Sequence, residues 1–153
     1  KNHFDKLRFL FEYMGCGSVY FRKNGNGQTA KICNNMIFKF TMIATCEALT
    51  LADKLELDRE AMFDVVSTSS GYNWSINSYC PAPGVGPKAP SDNNYIPGFS
   101  SDLMLKDLTL SQNASSESKA STPMGGSCNE TLQRLCRKQE RIRFGFFCYH
   151  KNF

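Results

Sequence analysis

Between Gln28 and Leu55 the apolar residues Ile32, Met36, Ile37, Phe38, Phe40, Met42, Ile43, Leu49 and Leu51 recur so closely that they cover nearly every face of a helix. A helix that is apolar all round has to be covered on all sides, so the segment predicts a central helix buried in a larger assembly, against a further domain or a second subunit. A chain of 153 residues with 41% apolar and 12% aromatic content can supply part of that cover from its own core.

The flanking segments are organised around this helix. On the N-terminal side Phe4, Leu7, Phe11 and Met14 recur at helical spacing, Gly15 and Gly17 end that helix, and Ser18 to Phe21 reads as a short strand, as if the chain opened inside a β/α unit. On the C-terminal side Asp58 is placed to cap a helix over roughly Arg59 to Val66, which Ser67 to Gly71 ends. From Tyr79 to Gly98 the chain holds Pro81, Pro83, Pro87, Pro90 and Pro97 with Gly84, Gly86 and Gly98, which excludes helix. Tyr79, Val85, Tyr95 and Phe99 predict that this long loop is packed. A further helix is expected from Ser100 to about Ser115, with Leu103, Leu110 and Ala114 on one stripe. Gly125-Gly126 is expected to interrupt helix, and Ser127-Cys128-Asn129-Glu130 has the capping-box form that starts a last one, with Leu132, Leu135 and Cys136 on one face.

Charge and cysteine usage exclude several classes. The net charge of +4 is scattered apart from Arg134 to Arg143, which argues against a nucleic-acid partner. No stretch reaches the roughly eighteen uncharged apolar residues of a membrane span. Lys1 to Lys6 lacks the apolar core of a signal peptide, so a soluble intracellular protein is expected. Cys16, Cys33, Cys46, Cys80, Cys128, Cys136 and Cys148 form no Cys-x-x-Cys and no Cys/His cluster at metal spacing, which predicts free thiols and no metal. Sequons at Asn73, Asn113 and Asn129 matter only in a secreted chain. His3 and His150 stand at the two termini without partners, so no histidine triad can be assembled and any enzyme chemistry has to use lysine.

Lys31 and Asn35 lie four apart at the start of the apolar segment, where a helix puts them on one face with Asn34 alongside. Desolvation and the positive end of the helix dipole would both disfavour a charged Lys31, and a lysine so shifted can take and return a proton near neutral pH. Spacing alone favours instead a lysine that snorkels to water beside locally bonded asparagines. Gly25 and Gly27 permit close backbone approach just before the helix or form a plain turn into it; with Ala30 in the third place they are not the phosphate-binding Gly-x-Gly-x-x-Gly. Lys106 beside Asp107 reads as an ordinary flank lysine with its stem on apolar surface. Trp74, the only tryptophan, reads as a core anchor before a ligand wall.

The stretch Gly25-Asn26-Gly27-Gln28-Thr29-Ala30-Lys31-Ile32-Cys33-Asn34-Asn35 resembles the Gly-x-Gly-x-x-x-Lys-x-x-x-Asn helix start of the β-hydroxyacid dehydrogenases, and Phe99 to Leu108 resembles the later Lys-Asp motif of that family. Ser69 to Ser75 and the proline loop to Tyr95 are similar to the branch acting on 3-hydroxyisobutyrate. The likeness covers about residues 14 to 123. It implies a mainly α fold, the helical C-terminal domain of the 6-phosphogluconate-dehydrogenase-like type over residues 25–153, with residues 1–24 a remnant, helix plus strand, of a Rossmann NAD-binding domain. It also implies NAD as cofactor, Lys31 as the catalytic acid/base, Asn35, Gly27, Gln28 and Trp74 at the substrate, and Lys106 with Asp107 at the cofactor, Asp107 fixing local geometry. The reaction implied is oxidation of 3-hydroxyisobutyrate to methylmalonate semialdehyde in valine breakdown, mitochondrial in eukaryotes and otherwise cytoplasmic. A homodimer through helix 28–55 is implied as well, with no nucleic acid and no membrane as partner.

Three departures qualify the resemblance. The family's dinucleotide-binding half would precede residue 1, so this chain is expected to bind NAD poorly or not at all. Arg22 stands where the family usually has glycine, and residues 124–153 diverge. A second reading is therefore a non-catalytic helical module that dimerises or binds a partner through the apolar helix.

Overall fold

A computed structural model describes residues 1–96 and 100–138. Those residues hold α1 (Asn2–Met14), α2 (Asn26–Lys54), α3 (Arg59–Val66), α4 (Trp74–Asn77), a 3-10 turn (Pro90–Asn93), α5 (Ser101–Ser118) and α6 (Pro123–Lys138), with no strand among them. The chain divides into two compact units, one running from Lys1 through Lys31 and one beginning at Ile32, so that α2 starts in the first and continues through the second.

In the first unit α1 has no buried residue, and the segment after it turns back beside it. Phe4 meets the ring of Tyr20 at 5.2 Å and that of Phe11 at 5.5 Å, and the Lys1 terminal amine donates to the Tyr20 hydroxyl at 2.8 Å. The strand expected at Ser18 to Phe21 is not formed. A strand is held by a ladder to a neighbour, and no other described segment is extended alongside to pair with it.

In the second unit α2 is the spine for two cores. Met42, Ile43 and Cys46 pack with Met104 and Leu108 of α5, Cys128 and Leu132 of α6, and Tyr95. One turn further on, Leu49 packs with Ile76, Cys80, Ala82 and Val85, backed by Met62, Phe63 and Val66. The helix α3 spans Arg59–Val66 as its cap dictates, the Asp58 carboxylate accepting from the Ala61 amide at 2.9 Å. Asn73 does the same for α4, accepting from Ser75 and Ile76.

The proline loop is packed as expected. Val85 and Tyr95 are buried, the Tyr95 hydroxyl donates to the Pro81 carbonyl at 3.2 Å, and the Ser91 hydroxyl to that of Cys80 at 2.7 Å. The Asp92 carboxylate accepts from the amides of Gly84 and Ala89, which hold it below the usual carboxylate range. Pro97, Gly98 and Phe99 lie outside the described residues, as do residues 139–153 of the divergent tail.

The last helix corrects the sequence expectation. It begins at Pro123 rather than Ser127, and Gly125 and Gly126 lie inside it. Proline suits a first helical turn, where its missing amide would have no partner. A side chain at Gly125 would collide with the Gln112 amide of α5 and crowd the Met36 sulfur of α2, so the glycine serves close packing between helices and not a break.

Candidate functional site

Of the residues marked out by sequence, Gly27, Gln28 and Lys31 belong to the first unit and Asn35, Trp74, Lys106 and Asp107 to the second. Gly27, Gln28 and Lys31 are exposed along the first turns of α2. The buried helix start expected there is therefore not found. Burial begins two turns later, at Lys39, which is wholly covered, and its desolvation pushes the ammonium pKa down to about 7. Gly25 has φ of +87°, a conformation that favours glycine, whereas a Cβ on Gly27 would meet the Phe21 ring at an ordinary 3.9 Å.

The structure brings Asn35 and Asp107 together. The Asn35 Nδ2 donates to Asp107 Oδ2 at 2.7 Å across a separation of 72 residues, joining α2 to α5. Asn34 Nδ2 reaches Asn35 Oδ1 at 3.4 Å. Lys106 and Asp107 are successive on α5 yet face different ways, since Asp107 is 4% exposed while Lys106 is exposed beside a shallow surface depression of about 340 Å³ with Asp102, Leu105, Thr109 and Leu110.

Trp74 is not a core anchor: it is 54% exposed. It stands edge-on to Phe38 at 5.1 Å and stacks on Tyr79 at 5.0 Å, and behind it the hydroxyls of Thr41 and Ser75 share a 2.8 Å hydrogen bond between α2 and α4. Trp74 and Phe38 wall a pocket of about 600 Å³ that Asn34, Ile37, Thr41, Tyr72 and Asn73 complete. Sequence reasoning missed Phe38, Tyr72 and Tyr79. Asn73 carried the usable signal, because an N-cap residue there starts a helix turn that turns Trp74 outward.

Among the described residues no three His, Cys, Asp or Glu side chains form a metal-binding group. Cys16 and Cys33 are exposed, Cys46, Cys80 and Cys128 buried, and all are thiols. No described helix is long and apolar enough to cross a membrane.

Residues 25–142 match the family described as "NAD-binding of NADP-dependent 3-hydroxyisobutyrate dehydrogenase". The chain belongs to that family. It is 38% identical over 138 residues to the mitochondrial 3-hydroxyisobutyrate dehydrogenase of Mus musculus, covering 90% of this chain and 41% of the relative. It is 40% identical over 149 residues to the NAD-dependent L-serine dehydrogenase of Pseudomonas aeruginosa, covering 97% and 50%. Its fold superimposes on the Mycobacterium tuberculosis 3-hydroxyisobutyrate dehydrogenase structure with L-serine at a TM-score of 0.90 and 32% identity, over 99% of this chain and 52% of that one. The chain thus spans about half the length of the relatives it matches. It is the helical C-terminal domain of the family and homologous to NAD(P)-dependent β-hydroxyacid dehydrogenases.

Proposed function

We propose that this chain supplies the lysine-bearing half of an NAD-dependent dehydrogenase of small 3-hydroxy acids, oxidising 3-hydroxyisobutyrate to methylmalonate semialdehyde. The observation that carries the reading is the Asn35–Asp107 hydrogen bond, which fixes an amide one helical turn beyond Lys31. In this reading Asn35 holds the hydroxy acid with Gly27 and Gln28 at the wall, and Trp74 bounds the space for its substituent. Lys31 takes the hydroxyl proton as the carbonyl forms, and returns it in the reverse direction. Lys106 touches the cofactor from the helical side. A bound nicotinamide dinucleotide supplies the hydride acceptor, and the other half of such a protein holds it.

The relatives' names divide between 3-hydroxyisobutyrate and L-serine, both 3-hydroxy acids with a free carboxylate. The pocket beside Trp74 has no charged residue in its lining, which favours a methyl over an ammonium substituent. A second copy of the chain is proposed to pack on the exposed side of α2.

The test joins this chain to the dinucleotide-binding half of the mouse relative and follows NAD reduction with each acid. Activity is expected with 3-hydroxyisobutyrate above L-serine, and Lys31→Ala is expected to lose about 10² to 10⁴ in rate. Full activity in that variant would sink the role given to Lys31. A joined protein that dimerises but reduces no NAD with either acid would favour the non-catalytic module.

A further inference from the structure

The buried carboxylate of Asp107 has a task that its neighbour Lys106 does not share. Along an α-helix successive side chains point about 100° apart, and here one is turned to solvent and the other inward onto α2. We propose that Asp107 is a positioning residue for Asn35, setting the orientation in which the Asn35 amide meets the hydroxy acid, and that it acts through Asn35 rather than on the cofactor. This rests on the functional reading above.

The chemistry of the pair fixes the orientation. A carboxylate only accepts, so the Asn35 nitrogen faces Asp107 and its Oδ1 faces the other way. At 2.7 Å the contact between the amide nitrogen and the carboxyl oxygen is at the short end of the range for N–H···O hydrogen bonds. An asparagine amide otherwise has two nearly isosteric orientations that present opposite groups to a ligand, a donor in one and an acceptor in the other. With its nitrogen held, Asn35 presents its carbonyl and one remaining N–H, and Asn34 approaches that carbonyl from α2 itself. Asp107 stands 72 residues away on another helix, so the amide is set only when α2 and α5 are docked. The substrate-side asparagine is thereby tied to the helix that carries Lys106 on its outer side.

In the joined two-domain protein, steady-state kinetics and NAD binding of Asp107→Leu, Asp107→Asn, Asn35→Ala and Asn35→Ala/Asp107→Leu test this. Asp107→Leu is expected to raise KM for the hydroxy acid and to lower kcat/KM by about 10², with the NAD dissociation constant unchanged. Asp107→Asn, whose Oδ1 can still accept, is expected within about tenfold of the parent. The double variant is expected to be no worse than Asn35→Ala. A weaker NAD affinity with an unmoved hydroxy-acid KM, or losses that multiply in the double variant, would overturn the assignment. Should leucine prevent folding, Asp107→Ala takes its place. A parent that oxidises neither acid would refute the functional reading alone. The side-chain amide resonances of Asn35, assigned by their loss in Asn35→Ala, then decide the positioning role: displaced without the carboxylate and restored in Asp107→Asn if it holds, unmoved in both if it does not.

Discussion

Lys31 and Lys39 lie on the same helix in opposite surroundings, the first exposed and the second wholly buried in the α2–α5–α6 core. Burial lowers the Lys39 pKa from 10.5 to about 7, an effect that the thiols of Cys46, Cys128 and Cys136 only partly oppose. Between those two pH values the unfolded chain binds a proton at Lys39 that the folded chain does not, so stability rises with pH across the window. Below about 7 both forms are charged and the cost of burying the ammonium is constant. Above about 9 the buried Cys46 thiol, pushed up to about 12, opposes the trend because the folded chain keeps a proton that the unfolded chain releases. The expected result is an unfolding free energy that rises between pH 7 and 9 by up to about 1.4 kcal/mol per pH unit for one group, and a melting temperature that climbs with it. Lys39→Met, similar in volume and without the charge, should raise stability at pH 7 and flatten this climb in circular-dichroism melts. A Met variant as pH-sensitive as the parent would show that the slope arises elsewhere.

At the scale of elements, what could be read from sequence was what local chemistry decides. The helix α3 was legible to the residue because its cap, Asp58, is three positions from the amide it satisfies. The packed proline loop was legible from Val85 and Tyr95. The start of α6 was not, because the pair Gly125-Gly126 looks like a break until Gln112, thirteen residues earlier on α5, is seen filling the space a side chain would need. Trp74 was misread although its neighbour Asn73 caps the turn that faces it outward, because the rings it meets there, Phe38 and Tyr79, come together only in the fold. The end of α5 offers a local test. Lys119 sits at φ of +58°, with its amide bonded to the Ser116 carbonyl and that of Ala120 to Ser115, the arrangement in which glycine usually closes a helix. A left-handed L-residue costs about 1 kcal/mol or more, partly offset by the greater unfolded freedom of glycine, so Lys119→Gly should stabilise the chain by about 0.5 kcal/mol in urea unfolding. Destabilisation instead would mean that the Lys119 side chain holds contacts worth more than the strain.

For the whole molecule the exposed side of α2 is decisive. The family motif at Lys31 and Asn35 was legible because it is contiguous, and the hydrogen bond from Asn35 to Asp107 was not, because only the fold brings α5 against α2. The expectation of a helix needing cover on all sides survives in one stripe. Ile37, Ala44 and Leu51 recur at seven-residue intervals on α2 and are exposed, Ile37 and Leu51 at 60% each, with exposed Glu47 on the same side. Residues seven apart line one face of a helix, and small Ala44 between two large apolar groups allows a second helix to come close. Ile37 also walls the pocket beside Trp74, so a copy packed on this stripe would close that pocket's rim. Ile37→Glu with Leu51→Glu places a carboxylate from each copy at the seam and should convert a sedimenting dimer into a monomer, with helix content unchanged because neither side chain belongs to a core. A parent that sediments as a monomer at high concentration, or a double variant that still dimerises, would move the second copy off this face of α2.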